Sequence, residues 1–230
     1  MSRAATWGVL LGLVLAFGQS GQLQAGIVST GPFAGELSET WESFPNYGVG
    51  GYHTLADPTL IMSGGASISH SAMIVYQPGS AGFGLITSGL AQVSDGAKGM
   101  GIDTQDATTT ITFTDQVTSF GAFWGAGTQN FGAFSDPAVV TVSFFDVFAN
   151  LIGTETFNYS HSANRDGGLD WHGWSSTVGI KSLQYSGDYV VTDGLQANRP
   201  AAVPEPASLT LFGLGALGLI GAARRRRAGN

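Results

Sequence analysis

The chain has no cysteine in its 230 residues. That absence removes thiol nucleophiles, thiolate zinc sites, iron–sulfur clusters and disulfide cross-links from consideration. Stability must come from burial, which a domain of this size can supply and one below about 40 residues usually cannot. Positive charge is almost as scarce away from the ends. Between Gly26 and Val203 there are only Lys98, Arg165, Lys181 and Arg199 against fifteen Asp and Glu, a net charge of −11. No basic patch is left for nucleic acid or an anionic membrane surface. Room remains for divalent cations.

Catalytic signatures are missing too. The one near miss to a Gly-x-Ser-x-Gly elbow, Gly18-Gln-Ser20-Gly21, lies in the leader. His53, His70, His161 and His172 are scattered without metal-ligand spacing. Gly213-Leu-Gly215-Ala-Leu-Gly218 matches the dinucleotide-binding pattern, but it lies inside an apolar run with no strand before it, so its glycines read as small faces on a membrane helix. A non-enzymatic protein is expected.

The two ends are addresses. Met1 to Ala25 carries Arg3, an apolar stretch from Val9 to Phe17 and a polar approach to Ala25, the layout of a secretory signal peptide cut after residue 25 by signal peptidase after delivery to the Sec translocon. At the other end Pro204-Glu205-Pro206 precedes an apolar run from Ala207 to Ala223 and then Arg224-Arg225-Arg226-Arg227. At ~1.5 Å per residue the run spans about 25 Å, at the short end of what crosses a bilayer. The four arginines act as a stop on the cytoplasmic side, placing the preceding chain on the far side of that membrane.

This tail, from Val203-Pro204-Glu205-Pro206-Ala207-Ser208 through the Leu/Gly-rich helix to the arginine cluster, resembles the PEP-CTERM sorting domain of Gram-negative surface proteins. The resemblance implies recognition by exosortase, a membrane enzyme thought to cut near the PEP motif, and transit through the inner membrane to the cell surface or extracellular medium. It covers about the last tenth of the chain. The divisions expected are a signal peptide over 1–25, an ectodomain over 26–196, a linker over 197–203, the sorting and membrane segment over 204–227 and a tail over 228–230.

The middle has a β composition: 26 of the chain's 35 glycines fall between Gly26 and Val203, and helix-forming charged residues are few there. Thr109 to Thr114 alternates polar and apolar, and Val140, Val142 and Phe144 alternate with Thr141 and Ser143, as strands with one buried face should. Ala138–Phe145, 117–124, 151–157, 180–186 and 189–193 are read as strands, with weaker candidates at 68–76 and 38–44. Short strands with regular turn signals and no helical period predict an all-β fold, a jelly-roll-like β-sandwich. Stretches such as Ser94-Asp95-Gly96, Gly173-Trp174-Ser175-Ser176 and Asp193-Gly194-Leu195 resemble the β-sandwich cargo found with this tail. That resemblance implies that Glu39-Thr40-Trp41-Glu42 returns to pair near the last strand.

The segment Asn164 to Trp174 reads as a loop rich in functional residue types. Asn164, Asp166 and Asp170 offer hard oxygen ligands for a calcium ion, though without EF-hand spacing. Trp171 and Trp174 offer ring faces to a sugar, with His172 and Asp170 as hydroxyl partners. The plainer reading is that these aromatics cap the core. Asp193 is read as a turn residue. Ice binding is set aside, since no regular Thr-x-Thr ladder is recognised. Three functions follow in order: a non-enzymatic, exopolysaccharide-associated surface or matrix protein; a lectin-like module; and a polysaccharide hydrolase with paired carboxylates. No resident cofactor is expected, calcium being the one candidate.

Overall fold

A computed structural model describes residues 26–45, 52–77, 93–102, 104, 107–126, 138–159 and 169–201. The chain divides into two compact units, Met1–Arg199 and Pro200–Asn230. Among the described residues the first contains twelve strands: β1 (Ile27–Thr30), β2 (Leu37–Glu39), β3 (Tyr52–Thr54), β4 (Thr59–Ile61), β5 (Ala66–Ser69), β6 (Met73–Tyr76), β7 (Gly99–Ile102), β8 (Ala107–Ala126), β9 (Ala138–Phe145), β10 (Leu151–Tyr159), β11 (Asp170–Gly187) and β12 (Val190–Asn198). The only helical turn among the described residues is a 3₁₀ turn at Met62–Gly64. The all-β expectation holds.

Two strands are far longer than expected, and they explain the architecture. The strands predicted over 109–114 and 117–124 are one strand, β8, and the predicted loop over 164–174 gives way at Asp170 to β11, which runs to Gly187. Both bend midway. The N-terminal half of β11, Asp170 to Ser175, pairs with the C-terminal half of β8 and with β1; its C-terminal half, Ser182 to Gly187, pairs with the N-terminal half of β8 and with β9. The register shifts between Ser175, Ile180 and Ser182. Such bulges bend and twist a strand. Gly179 sits at this corner, where a Cβ would collide with the side chain of Gln116.

The hydrogen-bonded sheet is therefore continuous but folded into two layers. One runs β10-β9-β11-β8-β5-β4, the other β1-β11-β8-β12-β7-β6-β3 with β2 beside β12. Rings from the two layers meet between them. Trp124 of the second layer packs edge-to-face on Tyr185 of the first at 5.1 Å, and Phe144 of the first on Trp174 of the second at 5.3 Å. Each large aromatic buries ~150–250 Å² and dominates the local energetics. The alternation of Val140, Val142 and Phe144, all fully buried, obeys the predicted period.

The weaker strand assignments change in instructive ways. The predicted strand over 68–76 is two, β5 and β6, separated by a turn in which the Ala72 N–H donates to His70 Nδ1. The strand predicted over 38–44 ends at Glu39. Leu37 and Glu39 do pair with Ala197 and Leu195 of β12, as the cargo resemblance implied, but Thr40 to Glu42 leave the sheet. The cause is the buried Glu39 carboxylate. One oxygen accepts the Trp41 N–H and the other the Met62 N–H, both at 2.9 Å. Trp41 and Met62 have φ of 64° and 53°, and Ser63 follows at 54°. Left-handed backbone in non-glycine residues costs about 1–3 kcal/mol each and persists only where the surroundings impose it. Glu39 imposes it on two segments at once. Replacing Glu39 with Gln puts an amide NH₂ against one of the two N–H groups. Glu39→Gln should lower the unfolding free energy in urea by about 2 kcal/mol, the cost of a lost charged hydrogen bond and an unsatisfied donor.

One further expectation fails at β8. Thr108, Thr110, Thr112 and Thr114 alternate with the buried Thr109, Ile111 and Phe113, so their side chains line the solvent face as a regular Thr-x-Thr run.

Candidate functional site

The sugar-platform expectation named Trp171, His172 and Trp174 as a loop cluster. All three lie on β11, where successive side chains point to opposite faces. Trp171 and Trp174 are an odd number of residues apart and so cannot form one platform. Trp174 is 2% exposed and faces the core between the layers. It presents no ring to a ligand.

His172 shares that inner face. Its ring stacks on Phe157 at 3.7 Å with 19° between the planes, and its backbone carbonyl accepts the Trp124 indole N–H. Burial lowers its pKa, the charge of Asp170 opposing this in part. A neutral imidazole stacked against a phenyl ring is a packing residue here.

Trp171 lies on the outer face of the second layer, half-buried. Gly121 and Gly173 are direct cross-strand partners, and a Cβ on either would run into the Trp171 ring. The paired glycines are a seat that lets a large indole lie close against the sheet. Phe33 and Phe123 pack on it with centroids 5.5 and 5.2 Å away, and its indole N–H donates to the Thr30 carbonyl at 3.1 Å. These contacts hold the ring in one position. Asp170 is exposed at the start of the same strand, whereas Asn164 and Asp166 lie outside the described residues. Among the described residues no three His, Asp or Glu side chains come together in a way that would hold a metal ion.

Two carboxylate ties organise the loops beside β12. Asp193 is fully buried and belongs to a strand, at a bulge where Gly194 has φ of 55°, rather than to a turn. One of its oxygens accepts the Ser94 and Asp95 N–H groups at 2.7 and 2.8 Å; the other accepts the Gly194 N–H. Burial pushes its pKa up to about 6 against the pull of those donors. Glu42 accepts the Ala97 and Lys98 N–H groups, and in return the buried Lys98 ammonium donates to the Glu42 and Phe44 carbonyls, both at 2.8 Å. The Asp-Gly pair was the visible signal for Asp193. Nothing in the sequence marked Lys98 as buried.

The expected sorting residues, Pro204, Glu205, Pro206 and Arg224 to Arg227, lie outside the described residues, as do the leader and the apolar run. No helix among the described residues is long and apolar enough to cross a membrane. The PEP-CTERM protein-sorting motif matches residues 202–227. The chain carries a PEP-CTERM sorting signal. This motif implies an exported protein, held transiently in the membrane, with exosortase as its processing partner. No curated protein matches the chain. Among solved structures, a DUF4465 family protein from Bacteroides caccae is similar at 13% identity and a TM-score of 0.44, covering 75% of this chain and 99% of that one. The CBM22-1 xylan-binding domain from Paenibacillus barcinonensis Xyn10C is similar at 13% identity and 0.35, covering 74% and 100%. A family 6 carbohydrate-binding module is similar at 15% identity and 0.33, covering 58% and 87%. At TM-scores below 0.5 these likenesses assign no ligand to the sorting-signal protein.

Two outcomes follow from this geometry. Gly121→Ala should displace the Trp171 ring and cost about 2 kcal/mol of stability, as overpacking does. In a Trp171→Ala background the same change should cost almost nothing, which a double-mutant cycle in urea will measure. For Asp193 the folded pKa of about 6 lies above the ordinary 3.8, so the native state binds the extra proton. Its contribution to stability is full below pH 3.8 and is lost as pH rises through about 6. Wild-type stability should therefore decline across that interval relative to Asp193→Asn, whose profile will lack the decline.

Proposed function

We propose that the chain is an exported, non-enzymatic surface or matrix protein: a jelly-roll-like β-sandwich released from a signal peptide at residues 1–25, threaded through the inner membrane, and held there by a helix over 207–223 until exosortase cuts near Pro204-Glu205-Pro206. Its destination is the cell surface or extracellular polysaccharide. The observation that carries this reading is the PEP-CTERM motif at residues 202–227, which follows a compact β domain whose last strand ends at Asn198. Pro200 and Pro204 favour an extended, accessible connection, because proline removes an amide donor and disfavours helix in the residue before it. A cutting enzyme needs such a segment. The acidic domain fits an extracellular protein that avoids anionic surfaces.

A second reading, carbohydrate binding, is favoured by one observation: Trp171 is held against the sheet on a glycine pair, with its indole N–H already satisfied. Pre-ordered rings of this kind bind apolar sugar faces at little entropic cost. Trp174 and His172 drop out of this reading. A calcium ion near Asp170, with Asn164 and Asp166, stays a proposal whose test is calcium-dependent thermal stability.

Sorting is tested directly. Mass spectrometry of the surface or extracellular protein should find it beginning near Gly26 and ending near the PEP motif. Replacing Pro204, Glu205 and Pro206 together with alanine should leave the protein in the inner-membrane fraction with its arginine tail intact. A surface-exposed wild-type protein that keeps Arg224 to Arg227 would refute the reading.

A further inference from the structure

The outer face of the first layer carries an ordered array of hydroxyl groups. Registers across five strands align Thr154, Ser143, Gln184, Thr110 and Ser69 in one row running across the sheet. A second row, two residues further along each strand, aligns Thr156, Thr141, Ser186 and Thr108. On the other side of the first row, Ser182, Thr112 and Ser67 continue the pattern over three strands, and this margin is apolar at both ends, with Leu60 beyond Ser67 and Phe145 and the exposed Leu151 beyond Ser182. No bulge interrupts the pairings that build these rows, so neighbouring hydroxyls repeat at the strand spacing of ~4.8 Å. Some are already locked together: Ser143 and Thr154 lie 3.0 Å apart between oxygens, and Thr141 and Thr156 lie 3.3 Å apart.

Charge makes this face unusual for the molecule. The segment from Gly26 to Val203 has a net charge of −11, yet none of the row residues is ionisable. Lys181 and Asp57 stand at its borders, Lys181 donating to the Thr114 carbonyl and Asp57 accepting from the Ser69 hydroxyl. A protein partner is disfavoured, because the first two rows have no apolar or aromatic residue and no arginine, and Leu60, Phe145 and Leu151 stand at the margin instead of forming the central apolar patch on which such interfaces depend. A polyanion would meet no positive charge within the array. Each hydroxyl, however, both donates and accepts, which suits a neutral chain of hydroxyls that does the same.

We infer that the Ser/Thr/Gln face of β10-β9-β11-β8-β5 is a binding surface for an extended neutral polysaccharide, laid across the strands along the hydroxyl rows. This rests on the extracellular reading above and is separate from Trp171, which lies on the outer face of the other layer.

The test uses the purified mature protein in depletion assays with microcrystalline cellulose and mannan as neutral probes and alginate as the anionic one. Wild type should be retained on a neutral probe and not on alginate. Thr110→Val/Thr112→Val keeps β-branched shape while deleting two hydroxyls, and should weaken retention about tenfold, as the loss of two neutral hydrogen bonds implies. Thr112→Ser should retain binding, and Trp171→Ala should leave it unchanged. Urea midpoints confirm that each variant is folded; should the valine pair unfold, Ser143→Ala/Thr154→Ala in the same row gives the same readout. If Trp171→Ala abolishes retention and the hydroxyl variants do not, the surface assignment is overturned while carbohydrate binding stands. Preference for alginate, ice shaping that is lost in the valine pair, or no retention on either neutral probe would each overturn the assignment. None of these outcomes bears on the tail, whose cleavage is read separately by mass spectrometry.

Discussion

Everything in the domain depends on the pairing of β8 with β11. Both strands change partners at their bends, so the same two segments of backbone belong to both layers. The hydrogen bonds between them fix the distance and angle at which the layers face each other. The aromatic contacts then follow: Trp124 from one half of β8 and Tyr185 from the far half of β11 meet only because each strand crosses the corner. A shift of one residue in this register would turn the Val, Ile and Phe positions to solvent and the threonines to the core.

With no cysteine to tie loops together, charged groups take that task, Glu39, Asp193 and Lys98 buried and Glu42 at the surface. Glu39 holds two left-handed segments that are 21 residues apart in sequence, counted from Trp41 to Met62. Asp193 and Glu42 each gather successive amides of the segment that leads into β7, and Lys98 binds back to carbonyls. The three buried groups, Glu39, Asp193 and Lys98, are well provided with hydrogen-bond partners, the condition under which a buried charge is tolerable. These ties converge on β2, β7 and β12, which lie together in the second layer.

Local alternation was legible in the sequence: 138–145 and 109–114 have a clean period of two, and their buried faces are as read. The joins between strands were not. The break expected between 109–114 and 117–124 is a bend within one strand, and only the partner strand reveals it. The same blindness misread Asp170 to Trp174 as a loop. Its two tryptophans and glycine resembled exposed recognition chemistry, whereas the glycine is small because Trp171 lies over it. Lys98 and Glu39 were indistinguishable from surface charges, since their partners are backbone groups, and those of Lys98 and one of the two of Glu39 are distant in sequence. The Thr108 to Thr114 run was readable residue by residue, but its meaning as an array required the four strands paired beside it.

The last strand is not an edge. β12 lies between β8 and β7, and β2 from the start of the domain closes onto it. In a chain delivered N-terminus first, the second layer has a gap in its middle until Val190 to Asn198 has emerged, so β7, β6 and β3 have nothing to join. Completion of the second layer is thereby deferred until the last strand is available. A polypeptide built this way can join its first layer early but closes its second only when its trailing strand arrives.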